Sequence, residues 1–247
     1  MRRVYFGDWA RGGAWWEVRR SVADFVAHCR GHGVTTLWVF DGRMVESKHA
    51  EWVTRSRSRA NKVNAAYNAL ASLGPAPPPP RKGDKWQRPV DLLPRKLMYV
   101  PSGTGRCVRH ALKELGVEQV MADGEADRVC AEIALQRGAV GVLSDDSDYL
   151  CMPGLRVFAV SKLKCSKRSL IATEFVQERL YAVLGLPPAA LPVFAALLGN
   201  DYLPHELLGG FHKRCLVAAG TLKETDALSS ASRGQVIKAV AAFVAPL

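Results

Sequence analysis

Val140 to Leu150 reads VGVLSDDSDYL: an apolar run of strand length that stops on a short segment carrying three aspartates. Before it, Gly124 to Ala134 reads GEADRVCAEIA, which opens with two acids and continues with a helical apolar rhythm to about Arg137. Working back from there, the pattern predicts a strand at about Gln119 to Met121 and a helix at about Arg106 to Leu115. Helix alternating with strand marks a parallel sheet covered on both faces, which is an α/β fold of three layers. Farther toward the N-terminus, Trp15, Val18, Val22, Phe25, Val26 and Cys29 recur at helical spacing and read as a core face. Gly31 and Gly33 break that helix, and Thr35 to Phe40 (TTLWVF) reads as a buried strand ending at Asp41-Gly42. Downstream, a strand is expected near Leu155 to Val160, followed by helices at about Thr173 to Leu184, Ala190 to Leu198 and Gln235 to Phe243. The chain shows no internal repeat.

Between the two halves of this pattern, His49 to Leu73 is polar, dotted with arginine and plausible as a helix. Gly74, Pro75 and Pro77 to Pro80 stop it, because proline lacks the helical N–H and runs of it favour extended geometry. The stretch from there to about Pro101 reads as a basic insertion with Trp86 as its large aromatic, for which packing competes with stacking on a base.

Charge follows the same division. The 247 residues are 48% hydrophobic, ample for a core, and carry a net charge of +11. Residues 43–110 alone carry +10, whereas 111–148 carry −6. A basic block followed directly by an acidic one suggests an anion held beside a cation. The six cysteines form no C-x-x-C pair, which argues against a zinc ribbon or a secreted disulfide scaffold and for reduced thiols inside a cell. No apolar run reaches the roughly 18 residues of a membrane span, and the start lacks a signal-peptide core. The six histidines show no ligand spacing.

Ligands of an open α/β sheet sit outside the carboxyl ends of its strands. Asp41 ends the first strand, Glu125 and Asp127 follow the second, and Asp146 and Asp148 follow the third. Two unit charges ~4 Å apart repel by about 4 kcal/mol at an effective dielectric of about 20, so such a cluster needs protons or cations. Oxygen donors without histidine or cysteine select Mg²⁺ or Mn²⁺. Each element also has a plainer reading: Asp41-Gly42 as a turn, Glu125 and Asp127 as acids that complement a helix start, and Ser-Asp-Asp-Ser-Asp as a capped loop.

These residues resemble the flap endonuclease (FEN/XPG) superfamily of PIN-like nucleases. The matching segments are VFDGR (Val39 to Arg43), GEADRVCAEIA (Gly124 to Ala134), VGVLSDDSDYL (Val140 to Leu150) and LLGNDYLP (Leu197 to Pro204), in the family's order and spacing. With GDWARGG (Gly7 to Gly13), the wording is most similar to the Asteroid branch. The resemblance implies metal-binding and catalytic roles for Asp41, Glu125, Asp127, Asp146, Asp148 and Asp201, holding two Mg²⁺ or Mn²⁺ ions. It also implies a basic gateway at Lys48 and Arg55, with Arg57 and Arg59 close behind, and phosphate contacts from Arg43, Lys213 and Arg214. The family's first strand and its aspartate stand before the GDWARGG-like region, so Met1 falls after them, and Asp8 matches a later aspartate. LLGGFHKR (Leu207 to Arg214) keeps glycines and cations of the family's duplex-binding hairpin without its clean pattern.

The resulting expectation is a PIN-like 5′-nuclease domain over residues 1–205, with the basic insertion at about 74–101 and a helical C-terminal extension over 206–247 that is incomplete. Its expected function is divalent-metal-dependent, structure-selective cleavage of nucleic acid, DNA in preference to RNA. The alternative is an inactive nuclease-like protein serving as a nucleic-acid-binding or scaffolding module in a protein/RNA assembly. A monomer is expected, free of membrane, open to a protein partner through the Pro-rich insertion, and located inside the cell, in the nucleus before the cytoplasm or mitochondrion.

Overall fold

The computed structural model describes residues 15–72, 101, 103–166, 168–200 and 202–246. Those residues form two compact units, the first drawn from Met1–Val45, His49–Ala126 and Val160–Ala172, the second from Glu46–Lys48, Asp127–Ala159 and Thr173–Leu247.

In the first unit, helix α1 (Trp15–Gly31) buries Val18, Val22, Val26 and Cys29 along one stripe. That stripe packs with Val108, Ala111 and Leu112 of α3 (Thr104–Glu114) in one apolar cluster. Strand β1 (Leu37–Phe40) lies parallel to β2 (Glu118–Met121), with Leu37 opposite Glu118 and Phe40 opposite Met121. A parallel pair needs a crossover, and α2 (His49–Ser72) and α3 lie in the intervening chain. Phe25 meets Trp38 edge to face at 5.9 Å, joining α1 to the strand. Arg30 donates to the Leu115 carbonyl (2.8 Å), satisfying an end group of α3.

Helix α4 (Ala126–Gln136) belongs to the second unit from Asp127 onward. Ala131 and Ala134 of this helix cluster with Val142, Tyr149, Leu155 and Val157. Strand β3 (Val142–Leu143) is parallel to β4 (Val157–Cys165), and β5 (Leu170–Phe175) completes a three-stranded sheet in the order β3-β4-β5. Helices α5 (Gln177–Leu184), α6 (Leu191–Leu198), α7 (Gly209–Ala218) and α8 (Arg233–Val244) share a core that includes Leu186, Phe194, Leu216 and Val240. Ser232 and Gln235 form a reciprocal capping box at the start of α8. This core therefore unites helices on both sides of residue 205.

The architecture is α/β with parallel strand pairs, as expected, and the differences lie at edges. Thr35 and Thr36 precede β1, and all four of its residues are half-buried rather than buried. Val140 is 73% exposed and lies outside β3. Trp15 is 37% exposed rather than part of the core face. Thr173 to Phe175, expected to start a helix, end strand β5 instead, the neighbour of β4 in the sheet. Helix α7 forms across LLGGFHKR despite its Gly-Gly start, which burial of His212, Cys215 and Leu216 outweighs. Asp8, Trp86, Asp201 and nearly all of the Pro-rich insertion lie outside the described residues. No single helix among those described is long and apolar enough to cross a membrane. All six cysteines are free thiols.

Candidate functional site

The end of β1 and the turn after β2 are locked together. Phe40 accepts from Ala122 N–H (2.9 Å), and Gly42 N–H donates to the Gly124 carbonyl (2.7 Å). A Cβ on Gly42 would stand 1.8 Å from the Ala122 carbonyl oxygen, so no other residue fits this turn unchanged. The consequence falls on Asp41. Its Oδ1 accepts the Ala126 backbone N–H at 2.9 Å, satisfying one of the open donors at the start of α4. Asp41 is thus brought to the peptide that follows Glu125, and both acids are solvent-exposed. Arg43 reaches Asp123 at 3.5 Å in an open, weak ion pair.

In the second unit, Asp146 N–H donates to Ser144 Oγ (3.0 Å), and Asp146 Oδ1 accepts from Asp148 N–H (3.1 Å). This side-chain turn starts the short 3-10 helix Asp148–Cys151, leaving Asp146 and Asp148 exposed while Tyr149 turns inward to 4% exposure. Burial first, then the neighbouring Cys130 and Asp127, pushes the Tyr149 phenol far above its usual range. Burial likewise pushes the Cys130 thiol up, against the lowering effect of the Tyr149 hydroxyl.

The basic residues spread more widely. Lys48 Nζ lies 5.2 Å from the centre of the Tyr202 ring, a cation–π contact. Arg55 pairs with Glu51 one turn earlier on α2, and Arg57 and Arg59 are exposed on the same helix. Lys213 and Arg214 lie on α7, half-buried and exposed respectively. In the LLGNDYLP segment, Asn200 Oδ1 accepts from the N–H groups of Tyr202 (2.9 Å) and Leu203 (2.8 Å). Gly199 turns there with φ +104°, and a Cβ would press on the His205 backbone at 3.2 Å. His212 is fully buried, with Nε2 bonded to the Leu197 carbonyl at 2.8 Å, a tie between α7 and α6.

Of the six predicted metal-binding acids, Asp41 and Glu125 belong to the first unit, Asp127, Asp146 and Asp148 to the second, and Asp201 lies outside the described residues. Among the described residues, no group of three or more His, Cys, Asp or Glu is arranged to hold a metal ion. The donor chemistry does fit a hard divalent cation. Every candidate ligand is a carboxylate, and Asp41 and Asp146 use Oδ1 on backbone N–H groups, which orients a second oxygen.

Residues 116–201 match the family model for the XPG I-region, and residues 184–247 match that for the FAM120A-like domain. The chain is 31% identical over 237 residues to the constitutive coactivator of peroxisome proliferator-activated receptor gamma of Bos taurus, covering 96% of this chain and 31% of that protein. The Homo sapiens protein of that name is 31% identical over 233 residues, covering 94% and 23%. Constitutive coactivator of PPAR-gamma-like protein 1 of Mus musculus is 27% identical over 217 residues, covering 86% and 18%. The chain therefore spans less than a third of the length of the curated relatives it matches. Among solved structures, the catalytic core of Rad2 in complex with DNA substrate aligns at TM-score 0.50 and 17% identity, over 92% of this chain and 65% of that one. That likeness is one of fold.

Proposed function

We propose that this chain, which carries the I-region of the XPG proteins and the PIN-like fold of the flap endonuclease (FEN/XPG) superfamily, is the cleaving core of a longer nucleic-acid enzyme. The activity proposed is divalent-metal-dependent, structure-selective hydrolysis of phosphodiester bonds. One observation carries it: carboxylates follow the carboxyl ends of three strands, each in a parallel pair. Asp41, Glu125, Asp127, Asp146, Asp148 and Asp201 would hold Mg²⁺ or Mn²⁺. When bound, such ions supply Lewis acidity toward the phosphate and a water of lowered pKa.

The chain's own side chains prepare for that chemistry. Asp41 and Asp146 are oriented by backbone N–H groups, so little reorganisation is needed when a cation arrives. Lys48, Arg55, Arg57 and Arg59 lie at or near the start of α2 and neutralise phosphate charge. Lys213 and Arg214 on α7, with Arg43, contact the backbone of the nucleic acid and set its register without reading its sequence. DNA is favoured over RNA because the Rad2 core of the same fold is described with a DNA substrate.

Cleavage of a branched DNA in the presence of Mn²⁺ tests the proposal. Asp146→Asn should reduce the rate by more than about 100-fold, beyond what loss of a supporting contact costs. Unchanged cleavage by that variant rules the mechanism out.

A second reading follows from the relatives, which are named as coactivators. On that reading the chain is a nuclease-shaped binding or scaffolding module, acting in the nucleus, and it does not cut. It predicts nucleic-acid binding whose log K falls with log salt by about 0.9 per neutralised phosphate on duplex DNA, with no hydrolysis in any metal.

A further inference from the structure

We propose that Trp52, held beside His49 on α2, is a stacking platform for an unpaired base of a single-stranded nucleic acid laid along that helix. The inference deepens the proposed function and rests on its reading of the α2 cations as contacts to nucleic acid. Three observations meet here. First, Trp52 is 55% exposed and belongs to none of the apolar clusters among the described residues, so its ring is not placed by a core. Second, the indole and the His49 ring lie near-parallel, 25° apart with centroids separated by 6.4 Å. Third, Trp52, Arg55, Arg59 and Lys62 fall at i, i+3, i+7 and i+10 on α2, so they share one face, and all four are exposed.

The charge of α2 selects the occupant. Over His49–Ser72 the cations are Arg55, Arg57, Arg59 and Lys62, and the single acid is Glu51. That imbalance attracts a polyanion. A single strand joins phosphates to flat apolar faces, and it therefore answers both parts of the stripe, the cations and the exposed indole. In a duplex the bases already stack on one another, so an indole on a helix face would meet only groove edges and phosphates. From Trp52 to Lys62 the stripe runs ~15 Å along the helix axis, room for a few nucleotides. His49 restrains the indole in advance, which lowers the entropy lost when a base settles on it. Every base has a π-face, so the contact positions the strand without reading its sequence.

Fluorescence anisotropy of labelled oligo(dT) and oligo(rU) with the full chain tests this, in EDTA to stop any metal-dependent cleavage. Trp52→Ala should weaken binding about 5- to 150-fold, the range for loss of one base–aromatic stack, while Trp52→Phe stays close to wild type. Loss on either strand supports the proposal, and the strand that shows it is the one α2 accepts. The slope of log K against log salt should be unchanged in Trp52→Ala and shallower by about 0.7 in Arg59→Ala, which separates the ring from the charges. An abasic strand with the same phosphates should bind the wild type as weakly as oligo(dT) binds Trp52→Ala. Wild-type affinity in Trp52→Ala, or undiminished binding of the abasic strand, overturns the proposal while leaving α2 as a nucleic-acid face. No binding by the wild type removes that reading and the proposal with it. A wild-type dimer that Trp52→Ala dissolves gives the ring to a second copy of the chain and also overturns the proposal.

Discussion

The turn after β1 and the segment after β3 both fix a carboxylate, and they do it by different means. Asp41 is held by a backbone N–H, that of Ala126, in a turn so tight that Gly42 admits no Cβ. Asp146 is held within its own segment, its Oδ1 accepting from the N–H of Asp148 two residues on (3.1 Å). Orientation at Asp41 therefore depends on two segments 85 residues apart staying together, whereas orientation at Asp146 is set within three consecutive residues.

The largest expected effect comes from Gly42→Ala. A methyl group 1.8 Å from a carbonyl oxygen cannot be relieved by rotating a side chain, so unfolding free energy should fall by more than the about 1–3 kcal/mol of ordinary overpacking. A loss under about 1 kcal/mol in urea unfolding would show that the turn relaxes and that Asp41 is less firmly placed than its geometry says. Next is Asp41→Ala, which leaves a helix-start N–H without its acceptor and should cost about 1 kcal/mol. Asp41→Asn sharpens the contrast, since the amide oxygen still accepts from Ala126. Stability should change by a few tenths of a kcal/mol while any Mn²⁺-dependent cleavage is lost. Equal destabilisation by both variants would mean that charge, not hydrogen bonding, fixes the turn.

The smallest effect concerns a pair outside both carboxylate sites. Arg156 donates to both oxygens of Glu174, and that hydrogen bonding holds the Glu174 carboxyl below its ordinary value. A depressed folded-state value contributes stability above the unfolded pKa, and that contribution disappears as pH falls through the folded one. Glu174→Gln should therefore flatten the acid limb of the stability profile slightly, with no change near neutral pH beyond loss of one exposed pair. A shift in the neutral-pH midpoint as large as that of Asp41→Ala would make the Arg156–Glu174 pair part of the fold's framework.

Much of this was legible beforehand, for identifiable reasons. Val18, Val22, Val26 and Cys29 recur at a helical period, so α1 and its buried stripe follow from spacing alone. The strand-then-acid pattern at Phe40-Asp41 and Leu143 to Asp146 likewise places carboxylates after strands. Strand β5 was not legible. Leu170 to Phe175 carries no alternation strong enough to outweigh the helical pattern that follows it, and its place beside β4 is a long-range contact. Helix α7 was hidden by Gly209 and Gly210, which lower local helix propensity, while the burial that stabilises it comes from α6 and α8. His212 shows the same limit, since a histidine in a charged-looking segment proves to be wholly inside that core.

The sequence by itself determined the α/β rhythm, the strand ends and the chemistry of the acids that follow them, because periodicity and residue type are local properties. Only the tertiary structure decided what holds each acid. Whether Asp41 meets the Ala126 N–H, and whether His212 meets the Leu197 carbonyl, depends on segments apart in the chain packing together. A hydrogen bond needs a donor and an acceptor within about 3 Å, and no pattern of neighbours along a chain sets that distance.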